Sequence, residues 1–447
     1  MEVFVERCAG YDVPSIDQIM RRWEGIFASC IRPGQTVVIK PNWISHSHKY
    51  NPNEWESVIT HPAVITAVLK TVLRHLEGQG RVVITDAPQT QCSWDRIMAR
   101  MKPERWTEMG HKTGVKIDVM DLREDEWRTK GDVIVARKKL PGDPLGSTEC
   151  DLNGCSEFVT HHARGKGYFG ADYNLEETNW AHSNGHHRYK VSRSIIAADV
   201  FINIPKMKTH KKAGITCSLK NLVGINTYKN WLPHHSEGTP EDGGDQFPQT
   251  SVKNKAEAVL LHKFAEFLWS HQRMGKWLVP VKGLGRALFG DTRSVIRSGN
   301  WYGNDTIWRM ILDLNKLLLY ANSDGTLRKD DVASCKNYIS VVDAILAGEG
   351  NGPEAPDAKY RGLLLAGTNA VAVDAVCAKL MGFDWRKIPS IKNAFDIRHY
   401  PICNFRYEDI RLISTSAQLN GNIADTPDTE VVRFRPHFGW QHHIEAA

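Results

Sequence analysis

Short apolar runs rich in valine and isoleucine alternate along the chain with longer segments in which apolar residues recur at helical spacing. Such alternation is typical of a parallel β-sheet whose strands are joined by crossover helices. The predicted strands are 37–39, 81–85, 115–119, 133–135, 200–204, 338–342, 362–366 and 410–413. The pattern therefore predicts the α/β class, with a mostly parallel, doubly wound sheet.

The longer periodic segments predict helices between these strands. The first begins at Pro62, because proline is favoured at the first helical position and Thr60 or His61 can serve as the N-cap. Further helices are predicted at 192–198, 254–289, 305–320 and 370–381. The 254–289 stretch interleaves apolar with basic residues. This pattern indicates either a helical cap that covers the active site or a subunit interface in a homodimer. Contact with a membrane surface is the alternative.

Two stretches interrupt the alternation of strands and helices. Residues 138–190 are rich in Gly, Asp, Asn and His and show little periodicity, and residues 236–254 form a polar linker with Gly and Pro. We therefore predict an α/β fold with a Gly/His-rich insertion and a helical cap insertion. The predicted segments are a first α/β half (1–137), a loop-rich insertion (138–190), a strand with a basic loop (191–253), a helical cap or interface (254–330) and a second α/β half (331–447).

Composition narrows the class of protein. The 447 residues are 41% hydrophobic and 24% charged, which is typical of a globular chain and excludes a disordered one. No run of 18 apolar residues is present, and the first residues carry acid where a signal peptide is basic. The nine cysteines are irregularly spaced, unlike a disulfide framework. We expect a cytoplasmic protein with free thiols.

The positive charge of the chain is concentrated in one segment. The formal net charge is only +6, which does not indicate a nucleic-acid partner. Residues 201–236, which we call the basic segment, contain no Asp, Glu or Arg and six lysines: Lys206, Lys208, Lys211, Lys212, Lys220 and Lys229. A local patch of this kind favours an anionic small-molecule ligand, and a solvated lysine loop is the alternative.

Polar side chains follow five of the predicted strands. Ligands bind at the carboxyl ends of strands in open parallel sheets, so residues at these positions are candidates for a shared site. They are Lys40 and Asn42, Asp86, Asn203 with Lys206, Lys208 and His210, Asp343, and the turn at 367–369. Several such loops, two of them with lysines, predict a ligand site at this edge of the sheet.

Five motifs in the chain resemble one family. They are Ile39-Lys-Pro-Asn42, Asn203-Ile-Pro-Lys-Met-Lys-Thr-His210, Ser218-Leu-Lys-Asn-Leu-Val-Gly224, Gly350-Asn-Gly-Pro353 and Leu365-Ala-Gly-Thr-Asn-Ala-Val-Ala-Val-Asp374. Together they resemble the domain-of-unknown-function family DUF362 over roughly residues 35–385. The resemblance implies little chemistry. Many members carry a ferredoxin module with Cys-x2-Cys-x2-Cys-x3-Cys spacing, which this chain lacks, so no iron–sulfur cluster is expected.

The basic segment holds the first group of candidate site residues. Lys206, Lys208 and His210 alternate, so in an extended chain they share one face and would bind a phosphate or carboxylate. The full set predicted to bind substrate is Lys40, Asn42, Asn203, Lys206, Lys208, Lys220, Asn221 and Asn351. The chain has neither a Walker motif nor a strand-linked G-x-G-x-x-G, which argues against a P-loop kinase and a dinucleotide enzyme.

Three carboxylates form the second group of candidates. Asp374 lies in an otherwise apolar helix, where a lone carboxylate needs partners or a metal. Asp86, Asp343 and Asp374 at strand ends would suit Mg²⁺ or Mn²⁺ bound together with an anionic substrate. Asp374, Asp86 and His210 are the predicted catalytic residues, and His61 is a further proton carrier. The alternative for Asp374 is a structural carboxylate that accepts backbone N–H bonds.

Two weaker candidates involve cysteine. Cys150, Cys155, His161, His182 and His186 could form a zinc site, but their loose spacing favours chance clustering in a polar loop. Cys217 lies among lysines that could lower the pKa of its thiol, and a buried spectator thiol is the favoured alternative.

These observations predict a cytoplasmic enzyme that acts on an anionic small molecule or sugar derivative, phosphorylated or carboxylated. The predicted chemistry is group transfer or acid–base catalysis assisted by a divalent metal, of the transferase or isomerase type. Two alternatives stay open: a redox accessory protein, as the iron–sulfur relatives suggest, and a non-catalytic binding protein.

Overall fold

An 11-stranded, mostly parallel β-sheet forms the centre of the computed structural model, which describes residues 1–130, 133–161, 167–270 and 295–446. The strands in this part of the chain are β1 (Glu2–Arg7), β2 (Thr36–Pro41), β3 (Arg81–Asp86), β4 (Lys116–Asp121), β5 (Asp125–Lys130), β6 (Val133–Lys139), β7 (Ser147–Asp151), β8 (Tyr168–Gly170), β9 (Arg188–Ser192), β10 (Val200–Ile204), β11 (Lys206–His210), β12 (Gly214–Thr216), β13 (Pro233–Ser236), β14 (Asn337–Asn351), β15 (Ala355–Gly367), β16 (Arg411–Ile413) and β17 (Gly421–Asn422).

Helices cover both faces of this sheet. They are α1 (Val13–Arg22), α2 (Glu24–Cys30), α3 (Pro62–Leu76), α4 (Trp94–Met101), α5 (Glu104–Thr113), α6 (Leu175–Ala181), α7 (Arg193–Ala197), α8 (Ser218–Asn221), α9 (Val252–Ser270), α10 (Ile307–Tyr320), α11 (Ala370–Leu380) and α12 (Pro389–Lys392). His61 caps α3, since its Nδ1 accepts a hydrogen bond from the backbone of Ala63 at 3.1 Å. The predicted start of this helix is thus confirmed.

Nine of the eleven strands follow the order β17-β16-β1-β15-β14-β10-β2-β3-β4, in which neighbours are parallel except where β15 and β17 take part. The other two extend the sheet beside β14: β11 pairs parallel with β14 and antiparallel with β12. Side chains alternate between the two faces: Val37 and Ile39 pack toward α1–α5, and Val38 packs toward α7 and α10–α12. The predicted α/β fold with a mostly parallel sheet is confirmed.

The strand pair β14–β15 is longer than the sequence indicates. Residues 338–342 and 362–366 are predicted as two short strands, whereas the structure has a hairpin of 15- and 13-residue antiparallel strands. The first part of β14 pairs with β10, and its later part pairs with β11, with Lys206 opposite Asp343. Asp343 therefore lies inside a strand and not at its end. The buried ammonium group of Lys206 is the partner of its carboxylate there.

The insertion predicted at 138–190 contains three strands and one helix and adds two small ribbons, β7–β9 and β8–β13. The segment predicted as strand 133–135 belongs to a third ribbon, β5–β6, outside the central sheet. Helix α9 packs on Phe169 and Leu175, and residues 271–289 of the predicted helix lie outside the described residues. Within the described ranges, no helix combines the length and the apolar character needed to cross a bilayer.

Candidate functional site

A pocket of about 270 Å³ opens at the carboxyl ends of the parallel strands β2 and β3. The segments that follow β2, β3, β8 and β11 form its wall, together with α8 and the chain from there to β13. Six of the residues predicted from the sequence line it: Lys40, Asn42, Asp86, His210, Lys220 and Asn221. The volume suits a small molecule.

The pocket wall carries more positive than negative side chains. The lysines that line it are Lys40, Lys211, Lys212, Lys220 and Lys229, and the carboxylates are Asp86 and Asp172. All of these lysines except Lys40 come from the basic segment, and no carboxylate does. A concave surface with this excess of cations attracts an anion.

Lys40 and Asp86 form a buried ion pair at the base of the pocket. Their charged atoms are 2.8 Å apart, and both side chains are nearly inaccessible. The carboxylate also accepts the backbone N–H groups of Trp43 and Ala87, each at 2.8 Å. Gly224 packs directly on this pair, and a Cβ atom at that position would stand 2.0 Å from Asp86 Oδ1. The close approach of the backbone therefore requires glycine.

Three asparagine amides connect the pocket wall to the sheet. Asn221 Oδ1 accepts from Asn42 Nδ2 at 2.8 Å, and Asn221 Nδ2 donates to Asn203 Oδ1 at 2.7 Å. Asn42 Oδ1 in turn accepts from Lys208 Nζ at 2.9 Å. Asn203 and Lys208 are fully buried and do not line the pocket. Their role in this structure is to fix the amides that do.

Helix α8 carries Lys220 and Asn221 to the pocket. Its first N–H groups, those of Ser218 and Leu219, donate to the two carboxylate oxygens of Asp374 at 2.6 and 3.0 Å. A carboxylate at this position replaces an N-cap side chain and favours the helix start. Burial raises the pKa of Asp374 to about 7, although these hydrogen bonds act in the opposite direction.

Asp374 is thus a structural carboxylate, as the alternative interpretation of the sequence has it. It lies 1% exposed in α11, away from the pocket wall, so its prediction as a catalytic base or metal ligand is not supported. It acts on the site through another element, because it holds the helix on which Lys220 sits.

Lys220 differs from the other pocket lysines because its ammonium group has no partner among the described residues. Only 7% of the residue is exposed. In the described part of the chain, its Nζ neither donates a hydrogen bond nor has a carboxylate within ion-pair distance. Burial and, to a lesser degree, the nearby cations Lys229 and Lys40 together lower the pKa of Lys220 to about 7.

Two neutral imidazoles line the pocket with opposite tautomers. His210 Nδ1 accepts the backbone N–H groups of Lys212 and Ala213 at 3.0 and 3.1 Å, so its proton is on Nε2. His234 Nδ1 lies 2.9 Å from the carbonyl oxygen of Leu232 and must donate to it, so its Nε2 carries a lone pair. Burial holds the pKa of both rings well below the usual range, and Lys220 is the charge that lowers each of them most.

His210 therefore presents a hydrogen-bond donor to a bound molecule, and His234 presents a base. The sequence predicts His210 as a site residue but does not distinguish His234 from the other histidines, apart from the weak signal of its place at the end of the basic segment.

Three further charged residues of the pocket were not singled out from the sequence. Lys212 donates to Ser298 O and His235 Nδ1, and Lys229 donates to Asn226 O at 3.0 Å. Burial lowers the pKa of Lys212 to about 7 and that of Lys229 to about 8. Asp172 accepts from Thr90 Oγ1 at 2.8 Å, and burial raises its pKa to about 7. The lysines lie in the basic segment, but nothing in the sequence marks Asp172.

Lys206 does not belong to the pocket. Its Nζ lies 2.5 Å from Asp343 Oδ2 and donates to the hydroxyl of Tyr11 at 2.9 Å, and that hydroxyl donates to Asp343 Oδ1 at 2.9 Å. We call these three residues the Lys206 cluster. Lys208 is also buried, and its Nζ donates to Asn42 Oδ1 at 2.9 Å and to the carbonyl oxygen of Val58. Both ammonium groups bond to groups within the protein and neither lines the pocket, so the structure does not support the predicted anion site at Lys206 and Lys208.

The predicted metal site is also not formed by its three carboxylates. Asp86 pairs with Lys40, Asp343 pairs with Lys206, and Asp374 caps α8. Across the described ranges, no three or more His, Cys, Asp or Glu side chains are grouped so that they could hold a metal ion. Each carboxylate has instead an internal partner that satisfies its charge.

The remaining candidates have separate surroundings. Asn351 ends β14 and does not line the pocket. His61 is stacked between Tyr11 and Trp55, and burial lowers its pKa to about 4. In the insertion, Cys150 is buried in the core and His186 pairs with Asp151 at 2.6 Å. All nine cysteines are free thiols, and burial raises the pKa of Cys217 well above its usual value.

Comparisons with known proteins place the chain in a family. The sequence model of a family described as "Domain of unknown function (DUF362)" matches residues 37–141 and 158–379, well over half of the chain. No match is found among proteins with curated descriptions.

Two solved structures are similar at 10% sequence identity. A protein from Thermotoga maritima has a TM-score of 0.32, with 78% of this chain and 56% of that chain covered. The lactate racemase apoprotein from Thermoanaerobacterium thermosaccharolyticum has a TM-score of 0.29, with 76% and 51% covered. The match thus spans just over half the length of those chains, and similarities of this size support no statement about function.

Proposed function

This chain belongs to the DUF362 family, and we propose that it is an enzyme that binds a small carboxylated or phosphorylated molecule and catalyses proton transfer on it. The observation that carries the proposal is one pocket in which five lysines surround two neutral histidines of opposite tautomer. The positive charge of the pocket indicates an anionic substrate but does not distinguish a carboxylate from a phosphate, so the proposal includes both.

The lysines supply binding and orientation. Lys211, Lys212, Lys220 and Lys229 come from a segment without acidic residues, so the field of the pocket is not cancelled locally. A charge-assisted hydrogen bond from a lysine to an anion contributes about 1.5–3 kcal/mol. Lys40 contributes less, because Asp86 already neutralises it.

The histidines supply proton transfer. His234 Nε2 has a lone pair to accept a proton, and His210 Nε2–H can stabilise the negative charge that develops on a substrate oxygen. Asp172, with a pKa of about 7, is protonated in part of the molecules at neutral pH and can return a proton. Groups of differing proton affinity in one pocket are the usual arrangement for acid–base catalysis.

A divalent metal would have to enter this pocket together with the substrate. Both oxygens of Asp86 already accept hydrogen bonds from Lys40, Trp43 or Ala87, which leaves this predicted ligand engaged. Phosphate oxygens of a substrate are ligands that Mg²⁺ accepts readily. Metal assistance is therefore proposed only for a phosphorylated substrate.

Calorimetric titration with malonate and with inorganic phosphate at constant ionic strength tests the binding step. We expect Lys212→Met to weaken both anions by about tenfold or more, since roughly 1.4 kcal/mol corresponds to tenfold. The matched control is Lys112→Met, which removes one positive charge from an exposed position on α5 and should change nothing. Equal affinity of the two variants would contradict the proposal.

Solvent exchange tests the catalytic step. Carboxylates and sugar phosphates incubated with the enzyme in D2O should include compounds that gain deuterium at carbon, which proton NMR detects. His234→Gln should abolish this exchange and leave malonate binding in place, because Gln cannot accept a proton as imidazole does. Binding without exchange for any compound would identify a non-catalytic binding protein instead.

A further inference from the structure

Lys220 is a buried amine for which the described part of the molecule provides no counter-ion. Burying a charged group without a partner is costly, so such groups tend to lose the charge. None of the described residues offsets this cost, and Asp374 holds α8 in a position that keeps the amine in the pocket.

The other buried lysines show that this chain can satisfy an ammonium group when it needs to. Lys40 and Lys206 each pair with a carboxylate, at 2.8 and 2.5 Å. Lys229 donates to the carbonyl oxygen of Asn226 at 3.0 Å. Among the described residues, Lys220 has neither a carboxylate nor a carbonyl oxygen as a partner.

We propose that Lys220 is a nucleophile that forms a Schiff base with a small anionic aldehyde or ketone, such as a 2-oxo acid. The inference rests on the proposed function and narrows its substrate to anions with a carbonyl group. A desolvated lysine beside other cations is a known arrangement for an amine nucleophile. With a pKa of about 7, roughly half of the Lys220 side chains are unprotonated at neutral pH.

The step balances without any oxidant or reductant. The lone pair of Nζ attacks the carbonyl carbon, a C–N bond forms, and the π electrons of the carbonyl move to its oxygen. The two protons of the amine pass to that oxygen, which leaves as water while the C=N bond forms. His234 Nε2 is the proton acceptor in this transfer, and it lies where the charge of Lys220 acts on it strongly.

A Schiff base at Lys220 would make the proposed proton transfer easier. Once solvent or Asp172 has protonated the imine nitrogen, the resulting cation withdraws electrons from the neighbouring carbon and acidifies its C–H bond. Lys211, Lys212 and Lys229 remain available for the carboxylate or phosphate of the same molecule. In this proposal, Lys220 forms a covalent bond with the carbonyl carbon of the substrate, and the other pocket lysines bind its anionic group.

Reductive trapping tests the proposal. The protein is incubated with glyoxylate, pyruvate or 2-oxoglutarate and sodium cyanoborohydride, and the adducts are located by peptide mass spectrometry. We expect Lys220 to be modified at least on the order of tenfold faster than Lys112, because an exposed lysine has far less free amine at neutral pH. Malonate should protect Lys220, and Lys220→Arg should remove the adduct while the protein stays folded.

Equal labelling of Lys220 and Lys112 with all three carbonyl probes would overturn the Schiff-base assignment. If malonate still binds in the calorimeter under that outcome, the anion pocket stands and only the covalent step fails. If malonate does not bind either, the proposed function fails with it. Labelling of Lys212 in place of Lys220 would also overturn the assignment, since Lys212 has partners in Ser298 and His235.

Discussion

Lys206 and Lys220 belong to the same basic segment and are both buried, but their surroundings differ in one decisive respect. Lys206 is fully buried and bonded to Asp343 and Tyr11, whereas Lys220 lines a pocket and has no partner in the described ranges. In the Lys206 cluster, the charge is compensated within the protein. In the pocket, the compensation must come from a ligand or from loss of the proton.

The difference teaches where function is to be sought among buried charges. A buried lysine with a carboxylate at 2.5 Å has its interactions already formed, and breaking them costs stability. A buried lysine without one reduces stability, so removing it should leave the fold intact and damage binding. The two residues therefore predict opposite mutational outcomes.

The largest effect is expected at the Lys206 cluster. Asp343→Asn removes the counter-charge and should lower the free energy of unfolding by about 3–5 kcal/mol, because it leaves a buried ammonium without its partner. Urea denaturation at pH 7 measures this. Malonate affinity of the folded fraction should stay unchanged, since Asp343 does not line the pocket.

The control for this prediction is the double variant Lys206→Met with Asp343→Asn. It removes both charges and should recover most of the lost stability, giving a coupling energy that a double-mutant cycle reports. No recovery would mean that the hydrogen bonds of Asp343 to Tyr11 and His61, rather than the ion pair, dominate. The contrast between a compensated charge at Lys206 and an uncompensated charge at Lys220 would then not explain the difference in stability.

The second effect is expected at Lys220. Lys220→Met should weaken malonate binding by about tenfold to a hundredfold, as the loss of one charge-assisted hydrogen bond of roughly 1.5–3 kcal/mol implies. The free energy of unfolding without ligand should rise by about 1 kcal/mol or more, because an uncompensated buried charge disappears. A fall in stability would show that Lys220 has a structural partner after all.

A smaller effect is expected at Asp374. Asp374→Asn retains one acceptor oxygen for the N–H groups of Ser218 and Leu219 and loses the other. The expected loss of stability is about 1–2 kcal/mol, and malonate binding should weaken as well, since α8 positions Lys220. Unchanged stability with lost activity would restore the sequence-based prediction of a catalytic carboxylate.

The smallest effect is a dependence of stability on pH. The pKa of Lys220 is about 7 in the folded protein and near 10.5 in an unfolded chain, so the unfolded state binds more protons between these values. Stability of the wild type should therefore rise relative to Lys220→Met as pH increases from 7 to 9. Thermal melting of both proteins at the two pH values measures this, and parallel curves would contradict a lowered pKa.

The sequence was sufficient for the sheet and for the segment that holds the site. Strand and helix periodicity located β2, β3, β10 and α3 closely, because their apolar faces pack on the sheet or its helices. The concentration of lysines in the basic segment indicated the pocket, because four of those lysines line it.

The assignment of individual lysines could not be predicted in the same way. Lys206 and Lys220 look alike in the sequence, and only the pairing of β11 with β14 brings Asp343 to one of them. The shift in register between β11 and β14 is equally invisible in a list of alternating residues. His234 and Asp172 enter the pocket through the ribbon β8–β13, a tertiary contact between distant segments that no local pattern records.

The excess of lysines over carboxylates in the pocket wall has a practical consequence for any measurement of affinity. If the pocket binds anions as proposed, phosphate, sulfate or chloride from the buffer competes with the substrate for it. An apparent dissociation constant then describes the exchange of one anion for another and shifts with the choice of salt. Protein prepared in phosphate and protein prepared in a zwitterionic buffer should then differ in apparent affinity for malonate, even though the chain is the same.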